Sequence, residues 1–323
     1  MKLEHFVCDL CGTDKKEKLF SIKKDIEDKN YLFTLVKCKG CGLVYMDPRP
    51  IDQDLYKLYP ENYYSFEELK KQLGGKQSVA ISYSQRLVYY RNYGNLDEDS
   101  FLRRVFIKVS ASFLGHRFGR TPIEVKAGKV LDVGCGDGLF LHYLMELGYE
   151  TYGVEISKKA SIQARKQGLN VFNGNLTEAK FPNNYFDIVR LSHVLEHMPH
   201  PSEIFQEGHR ILHSQGVLVV SIPNYCSLYS RIFKKNWFGL QIPFHLYQFS
   251  IRTVSQLLQK SGFKIANIRY YSVGTFLGSI ENLLTKGRIL CSHNPVLSIF
   301  SIGVDIFLDI FGWGDCIEIH AFK

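Results

Sequence analysis

The sequence predicts an α/β protein with a mostly parallel sheet, preceded by a small cysteine-paired module. Three observations carry that expectation. From residue 128 onward, short apolar runs alternate with segments of helical spacing, the order that lays helices on both faces of a parallel sheet. The first of those runs ends in glycines, as Val130-Leu131-Asp132-Val133-Gly134-Cys135-Gly136-Asp137-Gly138. Ahead of it stand two Cys-x2-Cys pairs, Cys8/Cys11 and Cys38/Cys41.

The pairs lie 26 residues apart, and Gly12 and Gly42 follow them directly. Four thiolates make a closed tetrahedral zinc site, which is structural rather than catalytic. A redox pair or a vestigial site is the alternative, and His5 is a lesser ligand candidate. No apolar stretch follows Met1, so no secretory signal is expected and paired cysteines read better as metal ligands than as disulfides. A cytoplasmic location follows as an expectation. Met46-Asp47-Pro48-Arg49-Pro50 then breaks the chain and bounds a zinc-ribbon-like module at 1–50. Residues 51–127 read as a mostly helical connecting or lid region, with a loop at 59–64 and helices at 84–93 and 101–114.

The third segment, 128–323, holds the alternating elements. Val130–Val133 is a buried strand, and Leu139–Leu147 a helix stopped by Gly148. Thr151–Val154 is the second strand. Ser157 caps a helix that runs to about Gln167 and stops at Gly168. Val171-Phe172 and Phe186–Leu191 are the third and fourth strands. Ser202 is read as the cap of a helix to Leu212, followed by a strand over Val217–Ile222. Ser250–Ser261 is a helix closed by Gly262, Lys264–Tyr271 a strand, and Cys316–Ala321 the last strand. Residues 276–313 interrupt this order as an apolar helical insertion. Val296–Trp313 carries only Asp305 and Asp309 as charges. Eighteen residues could span a bilayer, but two central carboxylates make that costly. Four residues apart, they share one helical face. An amphipathic helix fits better, serving as a cap on the core, a dimer interface or a membrane-surface element.

The glycine turn lets backbone approach a ligand closely. A dinucleotide site would want G-x-G-x-x-G and a pyrophosphate on the helix N-terminus; this turn is G-C-G-D-G, and Asp137 would repel a pyrophosphate. It would not repel the zwitterionic methionine end of S-adenosylmethionine (SAM). Glu155 closes the second strand, 17 residues after Gly138, where a carboxylate can accept both ribose hydroxyls. The alternatives are a purely structural turn and a carboxylate that serves the next helix dipole.

Phe181-Pro182-Asn183-Asn184-Tyr185-Phe186-Asp187-Ile188-Val189 and His193-Val194-Leu195-Glu196-His197 complete the pattern. With LDVGCGDG, YGVEIS and GVLVVSIPNY in this order, the chain resembles class I SAM-dependent methyltransferases of the type grouped as methyltransferase domains 11, 13 and 23. The likeness covers roughly 128–272. It implies a Rossmann-like seven-stranded fold with an N-terminal zinc ribbon and a helical insertion before the last strand. It also implies that Asp132, Gly134, Cys135, Gly136 and Gly138 frame the methionine moiety. Glu155 would hold the ribose, Ile156 would pack on adenine, and Asn175 and Leu176 would meet the adenine edge. Ser192 and His193 would line the wall near the sulfonium. Many relatives carry Asp at the position of Asn175, and a turn role is its alternative. The four-cysteine start followed by LVYMDPRP resembles sugar C-methyltransferases, and Tyr63 and Tyr64 resemble a segment folded over the SAM pocket. In similar proteins the segment with His245 faces the acceptor. His245 is therefore the candidate general base, with His197 as a second catalytic candidate; each could instead be a satisfied structural histidine.

The remaining thiols, Cys226, Cys291 and Cys316, read as buried. The net charge of +8 is scattered along the chain, which gives weak support for an anionic partner. No [DNS]-P-P-[YFW] stretch is present, Ser221-Ile222-Pro223-Asn224-Tyr225 being the nearest, which argues against methylation of adenine or cytosine amines. The expected acceptor is a small molecule methylated on O or C. A sugar nucleotide, a lipid-linked glycan or another polysaccharide or glycolipid precursor is favoured. An RNA methyltransferase gripping RNA through the zinc module is one alternative, against which the basic residues are unclustered. A non-catalytic scaffold is the other. Oligomeric state is open.

Overall fold

The computed structural model describes residues 1–26, 29–58, 128–146, 148–285 and 295–323. The expected loop at 59–64, the helices at 84–93 and 101–114, Tyr63, Tyr64 and Cys291 lie outside these residues. Seven strands form the main sheet: β6 (Lys129–Val133), β7 (Glu150–Glu155), β8 (Asn170–Asn173), β9 (Phe186–Ser192), β10 (Leu212–Pro223), β12 (Lys264–Tyr271) and β13 (Cys316–Phe322). Their spatial order is β12-β13-β10-β9-β6-β7-β8. Neighbours from β10 to β8 run parallel, while β13 is antiparallel to both β10 and β12. This is the Rossmann-like seven-stranded sheet that the resemblance implies. Chain order reverses where β6 lies between β7 and β9, and ligands of open α/β sheets bind at such a switch, beyond the carboxyl ends of the strands.

The sequence explains the framing elements. In β6, Val130 to Val133 are all buried, as a strand covered on both faces requires. Helix α1 is Leu139–Glu146 and α2 is Lys158–Lys166; the Ser157 side chain accepts from Ala160 N at 3.3 Å. Gly168, at φ +81°, turns the chain out of α2. Helix α5 (Ile251–Lys260) opens with a reciprocal capping box between Ser250 and Thr253.

One cap differs from the sequence expectation. Helix α3 is Pro201–Ile211, and Ser202 lies inside its first turn rather than capping it. Pro201, with φ fixed and no N–H to satisfy, suits the first helical position. The Ser202 N–H and hydroxyl instead donate to Asp9 Oδ2 and Oδ1, each at 2.9 Å. An N-terminal carboxylate thus caps a helix 193 residues away in sequence.

The N-terminal module is built on strands β1 (Leu3–Glu4), β2 (Lys16–Ile26), β3 (Lys29–Cys38), β4 (Val44–Met46) and β5 (Arg49–Pro50). A further strand, β11 (Tyr247–Gln248), joins β2, β3 and β4 in the order β11-β4-β3-β2. Tyr247 pairs with Tyr45 and Gln248 with Val44. The segment after β10 therefore completes the sheet of the cysteine module. Arg49 donates to Pro199 O, and Lys260 Nζ to Leu10 O, across the same junction.

The insertion contains α6 (Thr275–Thr285) and α7 (Pro295–Ile310), packed with α4 (Leu228–Phe233). The two carboxylates of α7 do share a face, and it is the inner one. Tyr229 Oη donates to Asp305 at 2.7 Å, while Ser272 donates to Asp309 through its hydroxyl at 2.6 Å and its N–H at 3.1 Å. The outer face carries exposed Phe300, Phe307 and Ile310, and the turn that follows adds exposed Phe311 and Trp313. No helix among the described residues is long and apolar enough to cross a membrane.

Candidate active site

The glycines of the turn after β6 have different tasks. Gly134, Gly136 and Gly138 all take positive φ, at +71°, +59° and +82°. A Cβ on Gly134 would sit 2.5 Å from Val194, and one on Gly138 would sit 2.2 Å from Leu169 Cδ1 and 3.1 Å from Ala164 Cβ. Nothing stands within 4 Å of a Cβ on Gly136. Two glycines are thus required by packing, while the third borders open space.

Glu155, at the end of β7, is buried and ties the turn to the next helix. Its Oε2 accepts from Gly136 N at 2.8 Å and its Oε1 from Ser157 N at 2.7 Å. Burial raises the pKa of this carboxyl, and those backbone donors oppose the shift. Each oxygen retains accepting capacity for a hydroxyl. Beside it Ile156 is 70% exposed, an apolar side chain that a flat base would cover. These features fit the ribose and adenine end of SAM.

Asp132 is buried against Arg190, its Oδ1 2.7 Å from Nη1. The Arg190 guanidinium in turn lies 4.0 Å above the Phe140 ring. The acid inside β6 is therefore neutralised by the neighbouring strand, since Asp132 and Arg190 are paired in register. Cys135 is buried, and burial pushes its thiol up, helped by Asp132 and Glu155. Asn175 serves a turn: its Oδ1 accepts from Thr177 Oγ1 and Glu178 N. Leu176 points its side chain into the core, so any ligand contact from it would come through backbone. Asn173 had no signal in the sequence; its Nδ2 donates to Glu155 O at 2.9 Å and Ile156 O at 3.1 Å and holds the base-side rim in place.

Across the switch, β9 ends at Ser192 and delivers His193 in the left-handed region, φ +54°. Its Nε2 lies 2.8 Å from Tyr271 Oη, and its Nδ1 3.5 Å from Glu196 Oε1. Glu196, His197 and His245 converge behind it, with one ligand atom of each within 4.8 Å of the others. Burial would raise the Glu196 pKa, but His193, His197 and His245 outweigh it and hold the carboxyl at about 2. Burial lowers both imidazoles, His245 to about 3. His197 and His245 are thus brought together with Glu196, the residue beside His197 in HVLEH.

In the cysteine module, Cys8 Sγ lies 3.5 Å from Cys41 Sγ, and Cys11 Sγ 3.4 Å from Cys38 Sγ. All four sulfurs lie within 4.8 Å of one another. Sulfurs about 2.3 Å from a zinc ion stand roughly 3.8 Å apart, so the set fits a structural zinc site of four thiolates. Gly12 and Gly42, at φ +72° and +86°, form the knuckles and donate to Cys8 O and Cys38 O. Burial works against the Cys38 thiolate, but the backbone N–H groups of Cys41 and Gly40 and the Cys11 thiol bring its pKa down to about 7. Burial pushes Cys41 up to about 11. His5 is no member of this set; it contacts Asp47 Oδ2 at 3.0 Å. Elsewhere Cys316 is buried as expected, whereas Cys226 is exposed, in a turn where its N–H donates to Asn224 Oδ1.

Residues 102–268, more than half of the chain, match the family model described as a methyltransferase domain. The chain belongs to this methyltransferase family. SAM is the cofactor of the family. Among similar proteins, one named a probable SAM-dependent methyltransferase from Mycolicibacterium smegmatis is 26% identical over 152 residues, 46% of this chain and 56% of the relative. A ubiquinone biosynthesis O-methyltransferase of Glaesserella parasuis is 32% identical over 107 residues, covering 30% of this chain and 45% of its own. The methyltransferase therefore spans about half the length of these two relatives. A protein of the same name from Proteus mirabilis is 30% identical over 188 residues, covering 55% of this chain and 70% of its own. Among solved structures, a SAM-dependent methyltransferase from Archaeoglobus fulgidus is 24% identical with a TM-score of 0.44, covering 72% of this chain and 100% of that one. One from Mesorhizobium loti is 18% identical with a TM-score of 0.46, covering 66% and 96%.

Proposed function

We propose that this methyltransferase moves the methyl group of SAM to an oxygen or carbon of a small-molecule acceptor, a sugar nucleotide or another polysaccharide or glycolipid precursor. The observation that carries the reading is the Gly136–Glu155–Ser157 tie beside exposed Ile156, at the switch of a methyltransferase sheet. SAM supplies an electrophilic methyl group. The protein's task is to align the acceptor and take up its proton. Ser192 and His193 face the sulfonium side. His193, more exposed than Glu196 and His245 and held at Nε2 by Tyr271, takes the proton. His197 and His245 shape the acceptor side behind it. A zinc ion on the four cysteines holds the module whose strand β4 carries β11 and, with it, His245. The relatives named for ubiquinone biosynthesis O-methylation favour oxygen over carbon as the acceptor atom. The four-cysteine module with LVYMDPRP favours a sugar substrate.

Isothermal titration with SAM tests the cofactor half. Binding to the wild type and loss of binding in an Asp132→Ala, Glu155→Ala double variant are expected; equal binding to both would sink the reading. Mass spectrometry of sugar nucleotides incubated with SAM and the protein tests the acceptor half, through a mass gain of one methylene.

The inverted helix α7 favours a more specific acceptor, a lipid-linked glycan met at the cytoplasmic membrane surface. Carboxylates inside and Phe300, Phe307, Phe311 and Trp313 outside suit the interface of a bilayer, and exposed Lys234 and Lys235 on the adjoining turn after α4 suit anionic headgroups. Co-sedimentation with anionic liposomes, lost in a Phe307→Ser, Trp313→Ser variant, is expected; no sedimentation of the wild type removes this version.

A further inference from the structure

We propose that Glu196, His197 and His245 form a second metal site, separate from the cysteine cluster, which binds a divalent first-row transition ion. The first ground is convergence: one ligand atom from each residue lies within 4.8 Å of the other two. Donors about 2.1 Å from an ion stand roughly 3–3.5 Å apart, which lies inside that limit. The second ground is the carboxylate. Glu196 is 1% exposed, and neither Oε1 nor Oε2 has a hydrogen-bond partner among the described residues. His193 Nδ1, at 3.5 Å from Oε1, is too far for a strong bond. A buried carboxylate left in this way is unfavourable, and a cation between it and the two imidazoles would relieve it.

The third ground is the tautomers. His197 Nδ1 lies 3.0 Å from Phe244 O, and His245 Nδ1 lies 3.0 Å from Gly239 O. A carbonyl only accepts, so Nδ1 carries the proton in both rings and Nε2 carries the lone pair. An Nδ1–H held by a backbone carbonyl is the arrangement that orients an imidazole for a metal. The two rings stand edge to face, centroids 4.6 Å apart. Two imidazoles and a carboxylate suit zinc, iron, cobalt or manganese rather than magnesium or calcium. Three protein ligands leave positions open. On the methyltransferase reading above, the ion would hold an acceptor oxygen; its binding does not depend on that reading.

The test is metal stoichiometry on the full chain with Co²⁺ and Zn²⁺ as probes. Reduced protein should bind two equivalents of Co²⁺. One should show sulfur-to-cobalt charge-transfer absorption, and the other should lack it. Glu196→Gln and His245→Ala should lose the second and keep the first. The affinity loss should exceed the ~10–100-fold that losing an outer-sphere partner costs. Zinc-edge X-ray absorption on the zinc-loaded wild type needs no variant, and it should show nitrogen or oxygen beside sulfur in the first shell. A single equivalent, a pure sulfur shell, or a second equivalent unchanged in both variants would overturn the proposal. SAM titration of the same samples separates the two ideas. Absent SAM binding defeats the methyltransferase reading and leaves the metal count standing, and the converse holds equally.

Discussion

Alanine at Gly138 and at Gly136 should damage the protein in different ways. At Gly138 the backbone is held at φ +82°, and an added Cβ would meet Leu169 and Ala164 at 2.2 and 3.1 Å. Both are buried, in a cluster with Cys135, Leu141 and Val171, so neither can swing away freely. Left-handed backbone costs an L-residue about 1–2 kcal/mol, and overpacking adds about 1–3 kcal/mol. Gly138→Ala should therefore lose about 2–5 kcal/mol, a large part of a typical folding free energy. At Gly136, φ is +59° and the space is open, so only the backbone penalty of about 1–2 kcal/mol applies. Its methyl group, however, would project where SAM is proposed to lie. Urea unfolding gives the first quantity, as a lower midpoint at unchanged slope. Calorimetric titration gives the second. Gly136→Ala should be the more stable variant and the poorer SAM binder relative to its stability. Equal destabilisation of the two, or wild-type SAM affinity in Gly136→Ala, would refute the division of labour.

Asp132→Ala strands the Arg190 guanidinium, whose side chain is 11% exposed; a broken buried pair costs about 3–5 kcal/mol, and an Asp132→Leu, Arg190→Met variant should recover much of it in urea unfolding. Asp9→Ala removes the acceptor for both Ser202 donors and should cost about 1–2 kcal/mol, by the worth of a helix cap. Chemical denaturation reads that loss, and Asp9→Asn should restore part of it. Stability of the metal-free protein should also fall on acidification. His245 titrates at about 3 in the fold and near 6.5 when unfolded. Below pH 6.5 the unfolded chain takes up a proton that the folded chain refuses. Its contribution is then complete above that pH and declines by about 1.4 kcal/mol per pH unit below it. His197 acts in the same direction. Unfolding curves between pH 5 and 8 should flatten in His245→Gln, and a wild type that gains stability toward pH 5 contradicts the assignment.

Local chemistry was legible in the sequence. Ser157 with Gly168 and Ser250 with Gly262 bracket helices because their signals act within one turn. The Cys pairs announce their cluster through spacing, and the VLDVGCGDG turn through the need for positive φ. What stayed hidden depends on partners far along the chain. Ser202 looks like a cap, but Asp9 supplies the capping carboxylate from the other end of the protein. Asp132 reads as part of the frame around the methionine moiety, yet Arg190 meets it across β6 and β9. Glu196 stands beside His197 in HVLEH, but its meeting with His245 depends on a segment that returns from almost fifty residues further on. The polarity of α7 was readable as a two-faced pattern, but which face turns inward depends on Tyr229 and Ser272.

The pairing of β11 with β4 has a temporal consequence. The two knuckles need only the first 42 residues, so the metal-binding tip can close early in synthesis. The bond from Lys260 to Leu10 spans 250 residues, and Tyr247 cannot meet Tyr45 until most of the chain has been made. Contacts of such separation form late, because a long loop must first be closed. During translation the N-terminal sheet therefore waits with an unpaired edge at β4 until β11 has been made. A nascent chain halted before residue 247 would carry a folded metal tip without β11, with that open edge as its point of vulnerability to misassociation.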